Sequence, residues 1–131
     1  MQFHDHLPEK NCPPVEADIP KKMKVYCLIK NDTPSLEDFK SLKERRPERF
    51  FDDPDKDCQS CGLSVFTDLE GIELAKQISR SLRKRKTAEG LLTENTGEIQ
   101  NTPSNRTGNT HHTWWPLKNI NPCEIFNVVN P

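Results

Sequence analysis

The stretch from Gly62 to Lys86 leaves this chain the fewest choices. GLSVF is a short apolar run of strand character that feeds directly into TDLEGIELAKQISRSLRKRK. At 100° per residue, Ile72, Leu74, Ala75, Ile78 and Leu82 fall within an arc of about 160°, with charged and polar residues on the rest of the circle. Thr67 and Glu70 have capping-box spacing, and the acidic first turn and basic last turn suit the helix dipole. The pattern predicts one long amphipathic helix over Thr67–Lys86, packed on the sheet that Leu63–Phe66 enters.

The rest of the chain gives that helix a small core to cover. In 131 residues the apolar fraction is 32% and prolines number eleven, and mean hydropathy is −0.85. This composition predicts a single domain over 23–131, with about 80 to 90 residues packed around one core. MQFHDHLPEKNCPP and the prolines at 13, 14 and 20 mark residues 1–22 as an extended N-terminal arm. A net charge of −1 gives no overall field for recruiting nucleic acid or membrane, so any such attraction must be a local patch. No window reaches the length of a membrane span, and the first residues lack the apolar run of a signal peptide. Five cysteines at irregular spacing fit a reducing cytoplasm better than a disulfide framework.

Strand signals recur along the domain. Met23–Ile29 is β-prone, and Ser35–Glu44 reads as a helix with Ser35 and Asp38 as its capping box. Asp52, Asp53, Asp55 and Asp57 lie in a stretch that reads as an acidic loop. Further strands are expected at Ala88–Thr93 and Glu98–Thr102, joined at Glu94-Asn95-Thr96-Gly97 as a hairpin. A flexible loop over 103–110 leads to HHTWWP and to a final strand, Glu124–Val129. The expected fold class is α+β: a small mixed sheet of five or six short strands with two helices, the second long and amphipathic.

Three places could carry chemistry. In a strand, His111, Thr113 and Trp115 share one face, while His112 and Trp114 share the other. One face could wall a pocket, with a tryptophan stacking on a base or nicotinamide and His111 or His112 supplying a proton. The same pattern also fits a core strand. Lys76, Arg80 and Lys84, spaced by four with Arg83 beside them, form a basic helix end suited to phosphate, nucleic acid or an acidic protein, or merely to solvent. Cys58-Gln59-Ser60-Cys61-Gly62 is half of a zinc knuckle, which two of His111, His112 and Cys123, or residues of the arm, would have to complete; redox chemistry and unpartnered thiols are the other readings.

Val25, Asp38-Phe39-Lys40-Ser41, Gly62-Leu63-Ser64-Val65-Phe66 and His111-His112-Thr113-Trp114-Trp115 resemble a family of small bacterial proteins sharing D-F-x-S, G-L-S-V and late H-H-T-x-W elements. The likeness spans about 100 residues and carries no activity with it. Asn109-Thr110 stands where that family would have glycine. In element order alone, the chain is also similar to ADP-ribosyltransferase-like toxin domains, which bind NAD in a split mixed sheet. That likeness implies NAD as cofactor and Glu124 as a late acidic residue, but MKVYCLI lacks the Arg or His expected on the first strand. The first expectation is a bacterial cytoplasmic interaction or regulatory module, an accessory subunit with a protein partner. The alternative is an NAD- or nucleotide-using enzyme with a His-Trp pocket.

Overall fold

The structure, a computed structural model, describes residues 2–129. Residue 1 of the expected arm and residues 130 and 131 of the expected domain lie outside them. Six strands form one sheet: β1 (Met23–Ile29), β2 (Leu63–Phe66), β3 (Lys86–Leu92), β4 (Gly97–Asn101), β5 (His111–Pro116) and β6 (Phe126–Val129). Their spatial order is β4-β5-β2-β1-β3-β6, and every pairing between them is antiparallel. The α+β class therefore holds, with an antiparallel sheet in place of the expected mixed one. No helix among the described residues is long and apolar enough to cross a membrane.

Alternation on the strands builds two apolar layers. On one face, Val25, Cys27 and Ile29 join Val65, Ala88, Leu92, Ile99, Trp114 and Phe126, and Phe39 covers them. Phe126 lies across Gly90, where a Cβ would come within 2.7 Å of its ring; only glycine leaves room for that contact. On the other face, Phe66 is buried with Ile72 and Ala75 of a helix, flanked by Tyr26, Leu28 and Leu82.

Three helices connect these strands: α1 (Leu42–Arg45), α2 (Pro54–Ser60) and α3 (Leu69–Ile78). Expectation and structure differ most at α3, which has ten residues and is capped by Asp68, whose side chain accepts from the Gly71 amide. Ser79 turns extended, a 3-10 turn follows at Arg80–Leu82, and β3 starts at Lys86 because Ile29 pairs with it. Arg83 folds back to donate to the carbonyls of Lys76 and Gln77, at 3.3 and 3.4 Å, satisfying the last turn that a longer helix would have continued. Ile78 lies about 120° round the helix from Ile72 and is 43% exposed, so it is not part of the core.

Smaller corrections have local causes. The expected Ser35–Glu44 helix splits at Lys40 into a 3-10 turn, Leu36–Phe39, and α1, because Ser41 starts a second capping box with Glu44. The expected acidic loop contains α2: Asp53 caps it, Pro54 takes the first helical position, and Asp55 and Asp57 sit in its first turn. The expected hairpin between β3 and β4 does not form. Thr96 closes a turn on Thr93, Gly97 takes φ +132°, and β4 crosses to pair with β5 at the far edge. The last strand begins at Phe126, leaving Glu124 in a 3-10 turn.

The arm is fastened. Phe3 bridges Leu117, and Asp18 exchanges two backbone hydrogen bonds, of 2.7 and 2.8 Å, with Ile99 on the outer edge of β4. Cys12 forms a disulfide with Cys58, while Cys27, Cys61 and Cys123 remain free thiols. The expectation of unpaired cysteines is corrected here, because the arm brings Cys12 to a Cα–Cα distance of 5.5 Å from Cys58 on α2.

Candidate functional site

The strand β5 carries the residues on which both functional expectations rest. Its register places His111 opposite Phe66, His112 opposite Val65, Thr113 opposite Ser64 and Trp114 opposite Leu63. Directly opposed residues share a face, so Ser64, Phe66, His111, Thr113 and Trp115 lie on the α3 side and Trp114 on the other.

Both tryptophans are fully buried. Trp114 packs at 5.8 Å from the Phe126 ring, and its Nε1–H donates to the Thr96 carbonyl at 3.3 Å. Trp115 donates to the Cys58 carbonyl at 2.9 Å, tying β5 to the end of α2. Trp115 does edge a cleft of about 220 Å³, but the histidines beside that cleft are His4 and His6 of the arm, with Glu44 and Cys61. His6 Nε2 lies 3.1 Å from the Cys61 carbonyl, and the Cys61 thiol donates to the carbonyls of Asp57 and His6. Burial pushes that thiol above its ordinary range, which keeps it protonated.

His111 is bonded at both ring nitrogens. Nδ1 lies 2.9 Å from the Thr102 carbonyl and 2.9 Å from Thr102 Oγ1, and Nε2 lies 3.0 Å from Ser64 Oγ. A carbonyl only accepts, so Nδ1 carries the proton and Nε2 offers its lone pair to the Ser64 hydroxyl. Thr102 Oγ1 in turn meets Thr113 Oγ1 at 2.9 Å. The Phe66 ring meets the imidazole edge-on at 5.3 Å. Burial holds His111 below its ordinary pKa range, only partly offset by the bond to the Thr102 carbonyl. The ring is therefore neutral at pH 7. His112, half-buried, has Nδ1 2.8 Å from the Thr110 carbonyl.

The other expected site residues are scattered. The zinc site is not assembled: Cys58 is spent in the disulfide, His111 is bonded to Ser64 and Thr102, and Cys123 packs beneath the opposite face. Among the described residues, no three His, Cys, Asp or Glu side chains gather closely enough to hold a metal ion. Glu124 is exposed in its turn, and the hydrogen bonds of His111 and His112 go elsewhere. Lys76 stays on α3, whereas Arg80, Arg83 and Lys84 lie beyond its end, so the expected ladder of cations along one helix face is broken. Among the described residues, Arg80, Arg83, Lys84 and Arg85 join no ion pair, while Lys86 lies 3.6 Å from Asp32.

Nothing in the local sequence sets Ser64 or Thr102 apart. Alternation in GLSVF shows that Ser64 faces away from Leu63 and Val65, but only the strand pairing sets it beside His111. Compared with protein families, with curated proteins and with solved structures, the chain matches none.

Proposed function

We propose that this chain is an interaction module that docks an acidic segment of a protein partner at the C-terminal end of α3. The observation that carries the reading is Ile78, 43% exposed and within two residues of both Lys76 and Arg80, with Arg83 and Lys84 following. An apolar centre with a charged rim is how protein interfaces are built. Glu70 and Glu73, exposed nearer the start of the same helix, would repel an extended phosphate backbone running along it, whereas a short acidic peptide can stay at the cationic end. We place the module in a cytoplasm, which suits its three free thiols, with the Cys12–Cys58 bond closing when oxidant is present.

The test is fluorescence anisotropy with a labelled glutamate- and leucine-rich peptide, a DNA duplex and NAD, each titrated with the purified chain at low salt. The expected result is saturable peptide binding that weakens with salt and is lost in Ile78→Asp and in the double variant Arg80→Glu, Lys84→Glu. Tighter binding to the duplex would make this a nucleic-acid surface, and saturable NAD binding would favour the transferase reading. Binding to none of the three would overturn the proposal.

A further inference from the structure

We propose that Ser64 and His111 form a nucleophile–base pair that takes an acyl group from a small activated ester, a second activity independent of docking at α3. Three observations on the α3 side of the sheet carry it. Ser64 is exposed on β2, with its Oγ 3.0 Å from Nε2 of a histidine that is only 9% exposed. The other ring nitrogen is fixed by the Thr102 carbonyl at 2.9 Å, which sets the tautomer and leaves Nε2 as the acceptor. The pair is held by rigid elements: Ser64 lies opposite Thr113, two residues from His111 on the same face of β5, and Thr102 continues β4 by donating its backbone N–H to the His111 carbonyl at 2.9 Å.

A hydroxyl within hydrogen-bond reach of a base, itself oriented by a third group, is the arrangement that activates a serine. The carbonyl here stands where a carboxylate often does: it orients the ring without adding charge. His111 is otherwise hard to explain, since a buried imidazole costs desolvation that an apolar residue beside Phe66 would avoid.

The step balances. The Ser64 Oγ–H proton passes to His111 Nε2 as the Oγ–C bond forms at the substrate carbonyl. The carbonyl–alkoxide bond then breaks, and the alkoxide leaves with that electron pair and takes the proton from Nε2 as the free alcohol. The chain is left as the Ser64 ester, which water cleaves by the same route. Because Ser64 is exposed while Phe66, His111, Thr113 and Trp115 around it on the same face are buried, the class of substrate is a short, unhindered acyl ester.

The test uses a fluorophosphonate probe on the full chain, read by intact mass and by peptide mapping. Attack by Ser64 Oγ forms an Oγ–P bond, and fluoride leaves with the proton. One label at Ser64 is expected, absent in Ser64→Ala and slowed about 100-fold or more in His111→Gln. If His111→Gln fails to fold, the wild type decides alone: the folded chain should label at Ser64, and the chain unfolded in urea should not. No label on the folded protein, a label at another residue, or wild-type labelling by a folded His111→Gln would overturn the proposal.

Discussion

Replacing Ile72 by alanine, with Ile78→Ala as its pair, tests the helix phase and the helix end together. Ile72 is 1% exposed and packs on Phe66 and Ala75. Removing three buried carbons forfeits about 0.8 kcal/mol each, and the cavity left between α3 and the sheet adds to that. The expected loss is about 3 to 4 kcal/mol. Ile78 is 43% exposed at the last turn, where solvent fills the space, so the same truncation should cost about 1 kcal/mol or less. For a chain of this length, each kcal/mol moves Tm by roughly 3 to 5 °C, so the two variants should melt about 10 °C apart. Urea titration followed by the emission of the buried tryptophans gives the same comparison at one temperature, and equal m-values would show that only stability has changed. Equal losses, or a larger loss at Ile78, would refute the argument. They would mean that the helix runs on past Ser79 and buries the face that a long helix would have used.

Trp115→Phe removes the indole N–H that bonds the Cys58 carbonyl, leaving that oxygen with the Cys61 amide alone. The lost bond and the smaller ring should together cost about 2 to 3 kcal/mol in urea unfolding, and a neutral result would mean that α2 is not held by this contact. Stability should also depend on pH. Because burial depresses the folded pKa of His111, the unfolded chain binds its proton first as pH falls, so His111 contributes full stability above about 6.5 and loses it as pH drops through the lower folded value. His4 is lowered in the same sense, chiefly by burial, so the two contributions add. Melts from pH 8 to 5 should show stability falling with acid, less steeply in His111→Gln; an unchanged slope in that variant would place the proton uptake elsewhere.

Local rules brought the sequence most of the way to its strands. Met23–Ile29, Leu63–Phe66 and the start of β5 are legible because β-branched and aromatic residues alternate and turn residues bound them, and that information lies within a few positions. Alternation likewise places His111, Thr113 and Trp115 on one face whatever strand pairs with them. Where the helix ends was not local. Periodicity runs on past Ile78, but Lys86 must pair with Ile29, and that contact, 57 positions away, stops α3 and brings the Arg83 side chain back over its last turn. The Asp53-Pro54 start of α2 was legible by capping rules, yet the density of acidic residues suggested a loop. Strand order lay beyond the sequence altogether: the Thr93–Gly97 turn looks like a hairpin, and only the pairing of β4 with β5 and of β3 with β1 sends the two strands to separate parts of the sheet. The same pairings decide the candidate chemistry. Nothing near Ser64 in the chain announces a histidine 47 positions on, and nothing near Cys12 announces Cys58; both contacts exist because the pairing of β2 with β5 and the docking of the arm bring distant backbone together, and pattern within a window carries no term for that.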